Sequence, residues 1–311
     1  MNLREELLKR LYAGEVSGEE LAAECGVTRA AVWKCVRSLI SEGHKISGTT
    51  NRGYMLAPSN VVSCAGVEHF LRTPWSVEVL PVTSSTNDVA KNRAAGGATD
   101  LVVIADSQTA GKGRLRRSFF SPGKAGVYLS AVIRPDLGVS DCGLITACAA
   151  VATARAVEDL SGADVKIKWV NDLYIGSRKI CGILTEGSVG MEGGSLDYAV
   201  VGIGVNALAV KFPSELENVA TSVEAETGKA VDRCELAARI LDNLHGLDSD
   251  VRSRSFVNEY RRRSCVTGRT VTVNGEYDAV AVGIDDDCAL LLDVGGRTIK
   301  FSAGEVSLKL K

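Results

Sequence analysis

The sequence predicts an α+β protein in three parts: an N-terminal winged helix-turn-helix, a central mixed sheet whose helices stand apart from its strands, and a small C-terminal SH3-like β-barrel. Three observations carry this expectation. The first 58 residues place three helical patterns around a turn at Gly26 and follow them with two short strands. Between Glu78 and Val205, apolar runs of strand length lie in adjacent groups around one long Ala-rich helical stretch. After residue 265 the chain becomes short strands split by Asn-Gly, Asp-Asp-Asp and Gly-Gly turns. The expected domains are 1–58, 63–265 and 266–311.

At 311 residues with 45% apolar content the chain can bury a large core. Its 38 acidic and 36 basic residues leave a net charge of -2, so any phosphate or nucleic-acid site must arise from local clustering. Two clusters exist. Residues 25–56 hold Arg29, Lys34, Arg37, Lys45 and Arg52 against Glu42, and residues 108–125 hold Lys112, Arg114, Arg116, Arg117 and Lys124 with no carboxylate among them. Nine cysteines lie scattered in apolar runs without a Cys-x-x-Cys pair, as reduced thiols do, and no metal site is expected. The N-terminus reads as a charged amphipathic helix without the apolar core of a signal peptide, and no stretch reads as long enough to span a membrane. The expected address is the cytoplasm.

Leu3, Leu7, Leu8 and Leu11 fall at helical spacing before Gly14. Ser17 and Glu20 form a capping box for a helix through Ala23, and Thr28 caps the next, expected over Arg29–Glu42. That helix should bury Val32, Val36, Leu39 and Ile40 and leave Arg29, Lys34 and Arg37 outside; Trp33 either packs inward, the role an isolated tryptophan favours, or lies near the DNA backbone. Lys45–Ser47 and Gly53–Leu56 read as the wing. Thr28, Arg29, Ala30, Lys34, Arg37 and Arg52 are the candidate DNA contacts.

Beyond a linker around Pro58, Glu78–Leu80 and Leu101–Ala105 read as strands separated by a helix that Ser85 or Thr86 caps. Val127–Ile133 alternates like a half-buried strand, and Gly143–Leu160 is the Ala-rich helix. Val165–Trp169, Lys179–Thr185 and Tyr198–Val205 supply further strands, with helices over 232–246 and 255–263. Val271–Val273, Ala279–Ile284, Ala289–Leu292, Thr298–Lys300 and Val306–Leu308 are the strands of the barrel.

Gly111 and Gly113 let backbone amides approach an anion, while Lys112, Arg114 and Arg117 supply long donors around it. The loop fits neither a Walker A motif nor a dinucleotide fingerprint, and taken alone it suits a solvated basic turn as well as an anion cradle. Lys168 shares a strand face with Lys166, opposite Ile167 and Trp169, and Asn171-Asp172 follows as a turn. A lysine at a rigid strand end can hold a carboxylate and a phosphate oxygen together.

These motifs together resemble the biotin protein ligases. Gln108–Pro122 is similar to their adenylate-binding loop, Lys168-Trp-Val-Asn-Asp172 to their Lys-Trp-Pro-Asn-Asp strand end, and Arg178–Glu186 to their Arg-Lys-x-x-Gly-Ile-Leu-x-Glu. Ser85-Thr-Asn87, Gly202-Ile-Gly-Val-Asn206, the head segment Gly26–Lys34 and the tail segment Gly304–Leu308 extend the resemblance over essentially the whole chain, and to the members that also repress the biotin operon. The resemblance implies a biotin site at Ser85, Thr86, Asn87, Gln108, Lys112, Gly113, Arg114 and Lys168, with Gly111, Arg116, Arg117, Phe119, Asn171 and Asn206 bordering ATP or the adenylate. Lys168 and Arg114 are implied to be catalytic.

It further implies biotin and ATP with Mg2+ as substrates, and biotinyl-5'-AMP as corepressor. The implied partners are a biotin carboxyl carrier protein, operator DNA, and a second copy of the chain when the adenylate is bound. Three positions depart from the family pattern: Lys112 replaces an Arg, Phe119 a Trp and Val170 a Pro. The lipoate ligases share the catalytic sheet, but their Arg-Arg-x-Ser-Gly-Gly-Gly signature is missing here.

Overall fold

The computed structural model describes residues 3–49, 53–190 and 194–308. The head contains α1 (Leu3–Ala13), α2 (Gly18–Glu24), α3 (Arg29–Glu42), β1 (Lys45–Thr49) and β2 (Gly53–Ala57), the two strands pairing antiparallel. The Ser17 hydroxyl and Glu20 carboxylate cap α2 reciprocally, and Thr28 Oγ1 accepts from Ala31 N at the start of α3. Leu7, Leu8, Leu11, Leu21, Val32, Val36 and Leu39 form a core of the head's own. Two expectations fail on α3. Trp33 is 54% exposed and Ile40 40% exposed, because the inward stripe is fully used by Val32, Val36 and Leu39, and residues 33 and 40 fall on the outer side of the helix. Arg52 lies outside the described residues.

The central sheet follows α4 (Cys64–Phe70), which the sequence reading missed. Its strands and helices run β3 (Ser76–Thr83), α5 (Thr86–Ala95), β4 (Leu101–Gln108), β5 (Gly126–Ile133), α6 (Cys142–Ser161), β6 (Val165–Lys168), β7 (Asp172–Ile175), β8 (Arg178–Val189) and β9 (Leu196–Asn206). The seven strands lie in the order β3-β4-β5-β9-β8-β7-β6, with β3 and β4 parallel and the other neighbours antiparallel. The expected turn at Asp172 is instead the first residue of β7, paired with Lys168.

β5 is buried on both faces rather than half-buried. Val127, Leu129 and Ala131 join the main core with α6, while Val132 packs with Ala90 and Ala94 of α5. The segment Val139–Ser161 is long and apolar enough to cross a membrane, contrary to the expectation from sequence. Here α6 is the core helix of the sheet, with Leu144, Ile145, Val151 and Val157 all inside protein.

The short helices α7 (Val223–Thr227), α8 (Arg233–Leu244), α9 (Leu247–Ser253) and α10 (Val257–Arg263) lead to the C-terminal sheet. That sheet contains β10 (Thr270–Val273), β11 (Tyr277–Ile284), β12 (Leu290–Val294), β13 (Arg297–Phe301) and β14 (Val306–Leu308), all antiparallel in the order β13-β12-β11-β10-β14.

Polar contacts tie the three parts together. Ala65 N donates to Glu5 at 3.1 Å and Tyr12 stacks on His69 at 5.2 Å, joining α1 to α4. Arg233 is fully buried and donates to the carbonyls of Asn60 and Gly126 and to Asp106, so one cation links the linker to two central strands. Trp169 Nε1 donates to the Cys288 carbonyl at 2.8 Å, joining the central sheet to the tail.

Candidate active site

Where β4, β5, β8 and β9 run beside the start of α5, their side chains surround a single cavity. Glycine makes room for it. A Cβ on Gly202 would lie 2.1 Å from Asn87 Oδ1, and one on Gly204 would lie 2.5 Å from Phe119 Cε1.

Ser85, Thr86 and Asn87 form the buried end. Thr86 N and Oγ1 both donate to Gln108 Oε1, at 2.8 and 3.1 Å, and Gln108 Nε2 donates to Ser121 Oγ at 3.0 Å. The Ser130 hydroxyl lies 2.8 Å from Thr86 Oγ1 and 2.6 Å from Asn87 Oδ1. Asn87 Nδ2 donates to Glu186 Oε2 at 2.8 Å. Burial alone would raise the Glu186 carboxyl, but hydrogen bonds from Lys91 and Asn87 outweigh it and hold the group below its ordinary value. The cavity thus presents a chain of neutral donors and acceptors, anchored behind its lining on the Glu186–Lys91 ion pair and suited to a small polar ring system with both N–H and C=O groups.

The open end is cationic. Lys112 and Ser118 bridge across a tight loop whose tip carries Leu115 at φ 54° and Arg116 at φ 60°. Arg114 donates to Asn171 Oδ1 at 3.1 Å and to the Gly304 carbonyl at 2.8 Å, and Arg117 forms a two-pronged pair with Glu305 at 2.7 Å on each arm. Lys112 pairs with Asp88 at 2.6 Å. The loop that lacks acids in sequence therefore gains two carboxylates through the fold. Lys168 stands apart: it is half-buried, 5.9 Å from the Tyr174 ring centroid, and among the described residues it forms no ion pair.

Of the expected site residues, Ser85, Thr86, Asn87, Gln108, Lys112, Gly113, Arg114, Arg117, Phe119, Lys168, Asn171 and Asn206 all line this cavity. Gly111 and Arg116 do not. Gly111 is buried behind the loop, where a Cβ would meet the Phe119 carbonyl at 2.6 Å, and Arg116 points to solvent at the tip. Asn206 also donates to the Thr221 carbonyl at 3.0 Å, and Phe119 stands edge-on to Tyr128 at 6.4 Å. Sequence reasoning missed three lining elements: the Lys179–Asp172 ion pair at 2.7 Å, Phe212, and Glu305 from the tail. Both members of that pair and Glu305 sit within recognised motifs, whereas Phe212 carried no local signal.

Residues 79–206 match the Biotin/lipoate A/B protein ligase family, residues 3–55 an HTH domain, and residues 266–309 the Biotin protein ligase C terminal domain. The chain is 31% identical to the bifunctional ligase/repressor BirA of Bacillus subtilis over 94% of each chain. It is 30% identical to the Escherichia coli bifunctional ligase/repressor BirA, over 97% of this chain and 96% of that one. Among solved structures, a biotin protein ligase from Aquifex aeolicus in complex with biotin and ATP superposes with a TM-score of 0.66 at 24% identity, covering 76% of this chain and 99% of that one. Joined to a cavity that assembles the expected residues from three strands, the start of α5 and a basic loop, these likenesses lead to one conclusion: the chain belongs to the biotin protein ligase family, with an N-terminal helix-turn-helix domain.

Proposed function

We propose that the protein activates biotin with MgATP and transfers it to a lysine of a biotin carboxyl carrier protein, and that its adenylate-bound form represses biotin genes. The observation that carries the reading is the junction within one cavity of a neutral hydrogen-bonding end and a cationic end, with the unpaired Lys168 among its lining residues.

In the first half-reaction a biotin carboxylate oxygen attacks the α-phosphorus of ATP. The bond to pyrophosphate breaks and the leaving group takes the electron pair. Lys168 holds the carboxylate beside the phosphate and balances charge growing on its oxygens, while Arg114 closes over the product. In the second, the carrier amine attacks the acyl carbon and AMP departs. Between the two steps the loop keeps water from the mixed anhydride. Mg2+ enters as part of the nucleotide substrate, and the described residues hold no cluster of three metal-binding side chains to cage it.

For repression, adenylate binding orders the basic loop and completes a twofold surface, so that paired heads meet a palindromic operator in the cytoplasm. Incubation with biotin, ATP, Mg2+ and a carrier domain should add one biotinyl group by mass spectrometry. A carrier left unmodified overturns the enzymatic reading. Sedimentation unchanged by biotin and ATP overturns the dimer.

A further inference from the structure

We propose that Trp33 is a base-reading residue of the head, making an apolar contact with a thymine methyl in the major groove while Arg37 is braced across its ring. The inference rests on the DNA-binding reading above and deepens it from charge to sequence. Four observations support it. Trp33 is 54% exposed on a helix whose opposite stripe is fully occupied by Val32, Val36 and Leu39, so it contributes nothing to the head's core. Among the described residues no other Trp, Tyr or Phe side chain is more exposed.

Residues 29, 33 and 37 follow one another at one-turn spacing, and with Ala30 and Lys34 they form a single exposed face at the N-terminal end of α3. The Arg37 guanidinium lies 5.8 Å from the Trp33 ring centroid, a cation–π contact that holds both side chains in one orientation. Among the described residues Arg29, Lys34 and Arg37 form no ion pair, so the surroundings of the indole stay positive, as a polyanion requires. Of the base edges in the major groove, the thymine methyl is the apolar one, and a neutral ring flanked by cations matches it.

The test uses the full-length protein with biotin and MgATP, and a randomised DNA duplex pool from which the wild type selects its preferred sequence. Trp33→Ala should biotinylate a carrier domain at the wild-type rate, bind the selected duplex at least ~10-fold more weakly, and lose preference at one T·A pair. Replacing that thymine with uracil deletes only the methyl. It should cost the wild type ~4-fold and Trp33→Ala nothing, the size expected of one buried methyl. Trp33→Phe should restore much of the preference. Arg37→Ala should weaken all sequences and flatten the salt dependence, and, by freeing the indole, also lower part of the preference at that T·A pair.

If Trp33→Ala selects the same sequence with the same affinity, the inference is overturned while DNA binding stands. If Trp33→Ala changes only self-association, Trp33 belongs to a protein interface and the inference is again overturned. If the wild type itself selects no sequence, the repressor reading falls and takes this one with it.

Discussion

The two basic clusters of this chain look alike in composition and are opposites in structure. On α3 the cations Arg29, Lys34 and Arg37 face solvent, and the nearby Glu42 is engaged by Arg4 and Ser38. In the loop after β4, Lys112 is held by Asp88 and Arg117 by Glu305, while Arg114 is anchored between Asn171 and the Gly304 carbonyl. The first arrangement keeps charge available to a long polyanion and leaves it exposed to salt screening. The second fixes cations in position around a small ligand, so that little reorganisation accompanies the charge changes of a reaction. Positive charge in a sequence therefore says little about its use until its carboxylate partners are found, and here those partners lie far away along the chain.

The strongest challenge to this contrast is Lys168→Ala. If Lys168, the cation the cavity leaves without an ion pair among the described residues, does the chemistry within the frame that the fixed cations build, biotin-dependent pyrophosphate exchange should fall ~10²–10³-fold, the usual cost of removing one donor aimed at the reacting charge. DNA affinity measured with added biotinyl-5'-AMP should stay within a few fold of wild type. Equal losses in both assays would mean that the two clusters do not work independently.

Next in size is Gly202→Ala. Its new methyl would sit 2.1 Å from Asn87 Oδ1, the end of a short side chain held by Ser130 and Glu186. Overpacking of this kind costs about 1–3 kcal/mol. Biotin affinity should drop by ~10-fold or more, read by calorimetry, because Asn87 is displaced from the polar end of the cavity. The head, with its separate core, should bind non-specific DNA as before.

Lys34→Ala sharpens the other side of the comparison. On the DNA-binding reading proposed above, removing this solvent-facing cation should lower the slope of log affinity against log salt by ~0.9, with a loss of several fold at moderate salt. Biotinylation of the carrier should be unaffected at every salt concentration tested.

How much of this was legible beforehand follows the same division. The capping box of α2, the Thr28 cap and the stripe of α3 were readable because they are local, set by spacing within one or two helical turns. The site residues were named through the resemblance of several short motifs, because the basic loop alone suits a solvated turn as well as an anion cradle. Trp33 was misread because composition favours burying tryptophan, and only the packing of Val32, Val36 and Leu39 reveals that the inner face has no room for it. Arg233 had no signal at all. A buried arginine is legible only once the carbonyls of Asn60 and Gly126 and the Asp106 carboxylate converge from distant segments. Glu305 lay in a recognised tail motif, but its pairing with Arg117 was hidden for the same reason, since it spans 188 positions of sequence. The double burial of β5 was equally non-local, being imposed by α5 on one face and α6 on the other.

The smallest expected effect tests whether the fixed cluster extends beneath the loop. Lys112 and Lys91 share Asp88, and Lys91 also pairs with Glu186, which in turn orients Asn87. Glu186 is held below its ordinary value of 4.5 in the folded protein. A carboxyl depressed by folding contributes stability that is complete above its unfolded value and disappears as pH falls through the folded one. Wild type should therefore lose melting temperature relative to Glu186→Gln as pH drops below about 4.5, the two curves running parallel at neutral pH. The group is partly solvated, so the difference at neutral pH should be less than about 1 kcal/mol. The carbonyl oxygen introduced by Glu186→Gln can still accept from the Asn87 amide, and the KM for biotin should change little. A large rise in that KM would mean that the charge on Glu186, rather than its acceptor geometry, positions the buried end of the site, and would extend the fixed electrostatics from the mouth of the cavity to its floor.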